Sequence, residues 1–162
     1  MVFAGQNTIA LIGFLQERIR LLEKTVLASA RLRSEYEKLQ SIPGIGRILA
    51  LVIMYETGTI GRFEAPGNYV SYCRCVKSNH LSTGKKKGSG NRKNGNKYLS
   101  WAYVEAANYS RRFCEEAKRY YQRKLAKGNS VIATKALAAK LSRAAYFIMR
   151  DQVEFDVARM FG

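Results

Sequence analysis

The chain has 162 residues, which is enough for one ordinary domain with a hydrophobic core, with or without a protruding element. Its 28 Lys and Arg residues outnumber its 12 Asp and Glu residues, and the formal net charge of +16 indicates a polyanionic partner such as nucleic acid. The sequence contains neither an apolar stretch long enough to span a membrane nor a signal-peptide pattern. We therefore expect a cytoplasmic protein.

The first 40 residues are predicted to form one long helix and a region of their own. Between residues 7 and 40 there is no Pro, and no Gly follows Gly13. Apolar side chains recur at alternating steps of three and four, as in a coiled coil: Ile12, Leu15, Ile19, Leu22 and Val26. This amphipathic seam weakens after Val26. It either pairs with another helix, which would make the protein a homo-oligomer, or folds back onto the core of the chain.

Residues 41–162 are predicted to form a compact helical domain. Residues 41–46 break the first helix, and the apolar segment Arg47–Thr57 forms a second helix that ends at Gly58. Further helices are predicted at residues 68–76, 96–125 and 131–150, and the tail after Asp151 is irregular or only briefly helical. Since no segment shows convincing strand alternation, the predicted fold class is all-α.

The segment Ile42-Pro43-Gly44-Ile45-Gly46 has the form of a helix-hairpin-helix turn. Gly44 and Gly46 allow the backbone to turn tightly around Ile45, and the following helix would present free N–H groups beside Arg47. These donors and the positive end of the helix dipole suit a phosphate oxygen. Such a contact positions DNA without reading its sequence. An ordinary helix–helix corner without a ligand is the alternative.

A basic segment follows in the middle of the chain, where no acidic residue lies between Glu64 and Glu105. Its eight cations are Arg74, Lys77, Lys85, Lys86, Lys87, Arg92, Lys93 and Lys97. The Gly and Asn content of residues 77–95 predicts a flexible loop. We expect the cations from Lys77 to Lys97 to clamp a phosphate backbone, unless the loop serves only solubility. A membrane-surface protein would instead carry its cations on an amphipathic helix, so we expect no membrane partner.

The sequence offers few other catalytic or metal-binding groups. His80 is the single histidine, and the two aspartates, Asp151 and Asp156, both lie near the C-terminus. A Ser-His-Asp arrangement or a carboxylate metal site needs more convergent groups than these, so we expect no metal or cofactor in this chain. The odd number of cysteines, with a single CxC pair, favours reduced thiols in the core or on the surface over a disulfide framework or a zinc site.

An ordered set of motifs resembles one known family. The motifs are residues 42–46, Glu56-Thr57-Gly58 with Ile60 and Arg62-Phe63, Tyr72-Cys73-Arg74-Cys75, Ser82-Thr83-Gly84-Lys85, and Lys93-Asn94-Gly95-Asn96-Lys97-Tyr98-Leu99. Together they resemble the C-terminal transposase domain of the IS-one-ten insertion-sequence family, including its IS-eleven-eleven branch. The resemblance covers roughly residues 39–156, and the helix before it resembles the connecting coiled-coil region of the family.

The resemblance implies a function and a missing partner domain. Complete members carry an N-terminal RuvC-like domain whose DEDD carboxylates bind Mg²⁺, and a structured guide RNA selects their target. By similarity, Ser82 is the nucleophile that forms a phosphoserine link to DNA. We therefore expect a DNA-binding and strand-transfer module of a serine-type transposase that is inactive without the RuvC-like domain. The alternative is a non-catalytic helix-hairpin-helix module that only binds DNA or RNA.

Overall fold

The computed structural model describes the backbone of residues 2–30, 33–76, 79–82, 85–89 and 94–162, and the side chains of residues 4–30, 33–76 and 94–162. The chain divides into two compact units, Met1–Arg33 and Ser34–Gly162. The sequence places this division after residue 40 instead. Each unit has its own set of elements.

Helices supply nearly all of the described secondary structure, so the all-α fold class is confirmed. They are α1 (Val2–Ala30), α2 (Ser34–Gln40), α3 (Arg47–Thr57), α4 (Pro66–Tyr72), α5 (Lys97–Phe113), α6 (Glu115–Leu125), α7 (Ser130–Asp151) and α8 (Val157–Phe161). A short 3-10 helix, Ile60–Arg62, lies between α3 and α4. Two strands, β1 (Asn79–Ser82) and β2 (Lys85–Ser89), pair as an antiparallel hairpin between α4 and α5.

The first unit is the long helix α1, which confirms the prediction of a long N-terminal helix. The predicted helix through residue 40 is too long, however, because α1 ends at Ala30 and the separate helix α2 begins at Ser34. The reason is that Tyr36 and Leu39 of α2 are buried in the second unit, where α2 packs on α3 and α7. None of the described helices is both long enough and apolar enough to cross a membrane.

The second unit is built around α5 and α7. Small residues on these two helices are fully buried, among them Ala102, Ala106, Ala107, Ala133, Ala138 and Ala145. Because alanine has no side chain beyond Cβ, helices that meet at such positions approach closely. The larger core side chains, including Leu137 and Leu141, fill the space towards the neighbouring helices. Burying one leucine stabilises the fold by about 2 kcal/mol.

Two predicted helices differ from the observed ones. The predicted helix over residues 96–125 is interrupted at Cys114, whose extended backbone (φ −126°, ψ 118°) separates α5 from α6. The carboxylates of Glu115 and Glu116 then lie in the first turn of α6, where negative charge stabilises the positive end of the helix dipole. The predicted helix over 68–76 is shorter as α4, since the backbone reaches a left-handed φ of 54° at Arg74. The prediction for α7 is confirmed within one residue at each end.

The segment predicted as a flexible loop contains the β1–β2 hairpin. The two strands pair antiparallel, and four pairs of residues lie opposite each other. Ser82 is paired with Lys85 and Leu81 with Lys86, whereas His80 is opposite Gly88. Lys87 is therefore an extra residue on β2, as in a β-bulge.

Candidate nucleic-acid interface

The turn between α2 and α3 is fixed against the core by its first residues. Ile42 and Ile45 are almost fully buried, with 1% and 3% of their surface exposed. Gly44 has a φ of +87°, and a Cβ there would lie 2.6 Å from the Ser110 nitrogen of α5 and closer still to a neighbouring carbonyl oxygen. Only glycine fits this position, because a side chain would meet both an unfavourable dihedral angle and the backbone of α5.

The end of the same turn faces open space. Gly46 and Arg47 are exposed, and a Cβ at Gly46 would have no neighbouring atom within 4 Å. Gly46 provides no side-chain cap for α3, and its carbonyl accepts the first helical bond, from the Ala50 N–H at 2.9 Å. The N–H groups of residues 47–49 have no acceptor among the described residues. The turn thus presents backbone donors at the positive end of a helix beside a guanidinium group.

The two ends of the hairpin segment meet at one place. The Asn96 N–H donates to the Tyr72 carbonyl at 2.7 Å, which joins the end of α4 to the start of α5. Gly95, with a φ of +88°, lies so close to the Tyr72 carbonyl that a Cβ would overlap the oxygen. Arg74 donates from Nη2 to the Gly95 carbonyl at 2.7 Å and from Nε to the Asn94 carbonyl at 3.1 Å. We call the following residues the hairpin base: Glu56, Tyr72, Arg74, Asn94, Gly95 and Asn96.

Asn96 connects the hairpin base to two helices. Its Oδ1 accepts the N–H groups of Tyr98 and Leu99 at 2.8 and 3.0 Å and so caps α5. Its Nδ2 donates to Glu56 Oε2 of α3 at 2.6 Å. Lys135 of α7 adds a bond from Nζ to the Arg74 carbonyl at 3.3 Å. The segment that carries the hairpin therefore starts and ends on a framework made by α3, α4, α5 and α7.

A buried chain of hydroxyl groups holds three of these helices together. Tyr69 OH lies 2.9 Å from Thr57 Oγ1 and 2.8 Å from Tyr103 OH, and all three residues are fully buried. Burial raises the pKa of Tyr69 and of Tyr103 well above the ordinary value, so both remain neutral hydroxyls that donate and accept. Thr57 lies in α3, Tyr69 in α4 and Tyr103 in α5. The two hydrogen bonds between their hydroxyl groups therefore hold together the helices before and after the hairpin.

The predicted site residues of the hairpin are placed only through their backbone. Ser82 ends β1, and the three consecutive lysines Lys85, Lys86 and Lys87 lie in β2. The side chains of these four residues lie outside the described part of the structure. Lys77, Arg92 and Lys93 lie outside it altogether. The backbone register makes Ser82 and Lys85 direct neighbours across the hairpin.

Helix α5 connects the hairpin base, at its first residue Lys97, to the α2–α3 turn, which packs near its other end. Lys97 is the exposed first residue of α5, and its Nζ lies 4.9 Å from the centre of the Tyr98 ring. The turn contacts α5 at Ala106 and Ser110. At 1.5 Å per residue, the two features are separated by roughly 14–20 Å along the helix. The structure thus brings Gly44, Ile45, Gly46 and Arg47 together and places Lys97 at the other end of α5.

The thiols are buried and offer no nucleophile at neutral pH. Cys73, Cys75 and Cys114 are free cysteines. Burial raises the pKa of Cys75 to about 11 and that of Cys73 further still. Within the described part of the chain, no three His, Cys, Asp or Glu side chains lie together as metal ligands would.

Comparison with known proteins identifies the family. The sequence profile described as "Transposase IS116/IS110/IS902 family" matches residues 36–122. The match runs from α2 into α6 and includes the turn, the hairpin and the hairpin base, which is more than half of the chain. The chain belongs to this transposase family. A comparison with curated proteins finds no match. The resemblance inferred from the motifs is therefore confirmed, and membership in a transposase family implies DNA as a partner.

The structural roles of three residues in this transposase family member were not predicted from the sequence. Glu56, Arg74 and Asn96 belong to the motifs that carry the resemblance, but their mutual contacts become visible only in the fold. Asn96 has a local signal, since Asn directly before a helix is a common N-cap. Arg74 and Glu56 have none, because their partners lie 20 or more residues away in sequence.

Proposed function

We propose that this chain is the C-terminal DNA-binding and strand-transfer module of a serine-type transposase. The observation that carries the proposal is the family match over residues 36–122, which includes every predicted site residue. The geometry supports it in two places. The exposed start of α3 presents free backbone donors, and the segment that carries the basic hairpin starts and ends on the helical core.

We propose that the module contacts DNA phosphates both at the start of α3 and at the hairpin. The N–H groups that begin α3, with Arg47, contact one phosphate of a duplex. Lys97, roughly 14–20 Å away along α5, and the lysines of β2 contact other phosphates of the same duplex. None of these contacts reads base identity, so the module holds DNA without choosing its sequence. Target choice then falls to another component, which the family resemblance gives as a guide RNA.

Ser82 is the proposed nucleophile for strand transfer. Its hydroxyl oxygen attacks a phosphodiester, and the new serine–phosphorus bond replaces the bond from phosphorus to one sugar oxygen. The serine proton ends on the sugar hydroxyl that leaves, so the energy of the phosphodiester is kept in the phosphoserine link. Lys85, which the hairpin register pairs with Ser82, adds positive charge to the part of the hairpin where the phosphate would bind.

We propose that the chain alone does not transfer strands. A serine hydroxyl is a weak nucleophile until a neighbouring group activates it. The carboxylate cluster that Mg²⁺ needs is not found among the described residues, and we assign this ion no step within the module. Activation would come from a RuvC-like partner domain with its own metal site.

Removing cations from the hairpin should flatten the salt dependence of DNA binding. We expect duplex affinity to fall with salt with a logarithmic slope of about −5 to −7 if six to eight cations contact phosphates. Replacing Lys85, Lys86, Lys87, Arg92 and Lys93 with Ala should reduce the steepness of the slope by about 4.5, since each lost contact removes about 0.9. Fluorescence anisotropy with labelled duplex over a salt series measures both slopes.

A matched control separates specific contacts from bulk charge. The control variant loses five exposed cations elsewhere: Arg20, Lys24, Lys118, Arg119 and Lys127. It has the same net charge as the hairpin variant, so the proposal requires its slope to stay near that of the unmodified chain. Equal slopes for the two variants would show that the hairpin is not the grip.

We propose further that α1 makes the protein a homo-oligomer. The five seam residues from Ile12 to Val26 are between 38% and 64% exposed in the single chain. Leu11, Phe14 and Leu21 are exposed as well and lie outside the seam. Exposing an apolar seam on one helix is unfavourable in water, and pairing with a second copy of α1 would bury the five seam residues.

Polar substitutions in the seam should convert the oligomer into a monomer. We expect the double variant Leu15→Gln, Leu22→Gln to lose the apolar contacts that pairing would bury, and to dissociate at micromolar concentration. The control Gln16→Ala, Lys24→Ala changes two exposed polar positions of the same helix and should leave the oligomer intact. Light scattering on the three proteins measures their mass. A monomeric unmodified chain at high concentration would contradict the proposal.

A further inference from the structure

A second group of cations lies far in sequence from the hairpin, on α6 and α7. We call Arg123, Lys124, Lys140 and Arg143 the basic cluster. Lys140 Nζ lies 4.9 Å from the centre of the Tyr120 ring. The same ring centre lies 5.3 Å from Lys124 Nζ and 6.0 Å from Arg123 Cζ. One half-buried aromatic ring thus collects three cations within cation–π distance.

No carboxylate among the described residues forms an ion pair with the basic cluster. The ion pairs of the described residues are Lys118–Glu115, Arg119–Glu116 and Arg150–Asp151. None of them involves the basic cluster. Desolvation and the charges of Arg123, Lys124 and Arg143 lower the pKa of Lys140. Like charges held this close repel each other, and an anion bound among them would relieve the repulsion.

A groove with an apolar lining opens beside the basic cluster, and we call it the tail groove. Residues of α4, α6, α7 and α8 and of the segment between α7 and α8 line it, and its volume is about 730 Å³. This volume falls within the range of small-molecule sites, about 300–1,000 Å³. Its apolar lining includes Ala136, Ala139, Ala144, Phe147, Phe155 and Met160.

Charged groups are found along the rim of the tail groove. Lys140, Arg143 and Arg159 line it together with Glu154 and Asp156. Asp156 already caps α8 by accepting the Arg159 N–H at 3.1 Å. Tyr120 also lines the groove, and its ring centre lies 5.9 Å from that of Phe161 of α8. The basic cluster and Arg159 outnumber the two carboxylates, so the groove suits an occupant that combines a compact apolar or planar part with negative charge.

We propose that the tail groove binds an unpaired nucleotide of a single-stranded nucleic acid. The planar base enters among the alanines and aromatic rings, and the phosphates on either side lie against the basic cluster. Stacking on an aromatic ring suits any base, and a flexible backbone brings more than one phosphate to the four cations. A paired base does not enter, because it is already stacked inside its duplex and extracting it would cost the free energy of pairing and stacking.

This site is distinct from the proposed grip on duplex DNA. Lys140, Arg143 and most of the groove lie beyond residues 36–122, which the family profile matches. The site does not depend on Ser82 or on the hairpin, so either proposal can fail while the other stands. Deoxyribose and ribose strands offer the same base and phosphate chemistry, and the test distinguishes them.

Binding of short single-stranded oligonucleotides to the full chain tests the proposal. The probes are a DNA and an RNA strand of the same sequence, each with one 2-aminopurine, whose fluorescence is quenched on stacking. We expect the double variant Lys140→Ala, Arg143→Ala to weaken binding roughly tenfold or more and to restore the fluorescence. The control Lys118→Ala, Arg119→Ala removes two cations from α6 that already pair with Glu115 and Glu116, and binding should change less than about twofold.

A second variant tests the groove without changing charge. Ala139→Trp places a large side chain in the apolar lining and should also weaken binding roughly tenfold, while duplex binding stays the same. Tighter binding of one strand type assigns the source as RNA or DNA, and equal binding assigns recognition to base and phosphate alone. Equal losses in the Lys140 and Lys118 double variants would overturn the proposal. Duplex that competes as well as single strand would also overturn it.

Discussion

Replacing Ser82 with Ala in a complete transposase that contains this module is expected to lower strand transfer by at least about 10³-fold. The hydroxyl is the only group in the proposal that forms a covalent bond to phosphorus, and alanine offers no replacement. DNA affinity should change less than about twofold, because the binding groups are backbone donors and cations. Strand transfer and duplex binding, measured on the same protein preparation, give the two values.

Two neighbouring hydroxyl residues serve as controls for Ser82. Ser78→Ala and Thr83→Ala remove hydroxyl groups from the same segment and should leave strand transfer within a few-fold of the unmodified enzyme. A covalent protein–DNA product, trapped by denaturation during the reaction, should be absent in the Ser82 variant alone. Unchanged strand transfer by that variant would reject the nucleophile and favour the non-catalytic binding module.

Replacing Gly44 with Ala is expected to destabilise the second unit by at least about 3 kcal/mol. The backbone at Gly44 has a φ of +87°, which costs an alanine residue about 1–2 kcal/mol. The added methyl group would also overlap the backbone of α5, which cannot move without disturbing buried Ala106 and Ser110. Thermal denaturation should show a melting temperature lower by roughly 10 °C or more.

Gly46→Ala is the matched control from the same turn. Gly46 has an ordinary φ of −88° and open space around its Cβ position, so alanine should cost less than about 1 kcal/mol. DNA binding by this stable variant then tests the phosphate contact at the start of α3. Equal melting temperatures for the two glycine variants would contradict the close packing of the turn on α5.

Some elements could be predicted from local sequence alone. Helix α3 is found at its predicted bounds because Gly46 and Gly58 flank an uninterrupted apolar segment, and glycine at each end is a strong boundary signal. Helix α7 is similar, with Asn129 before it as the N-cap. The Gly44 and Gly46 positions were also indicated by spacing, since a tight turn between two helices needs glycine.

Other features depend on contacts that sequence spacing does not reveal. The strands of the hairpin are rich in Lys, Gly, Ser and Asn, which have low strand propensity, so no alternation marks them. The break at Cys114 has neither Gly nor Pro, and it follows from the separate packing of α5 and α6 on α7. Lys140 lies 20 residues after Tyr120, so their contact across two helices could not be predicted from a linear pattern.

The bond between Tyr72 and Asn96 has a consequence for the evolution of this module. Because the hairpin base holds both ends of this segment on the core, the hairpin strands could be exchanged while Cys73, Arg74 and Cys75 keep their places. The entropy cost of closing such a segment grows only slowly with its length. A lineage could therefore lengthen, shorten or replace the hairpin and acquire a new grip on DNA, while the helical scaffold that supports it stays the same.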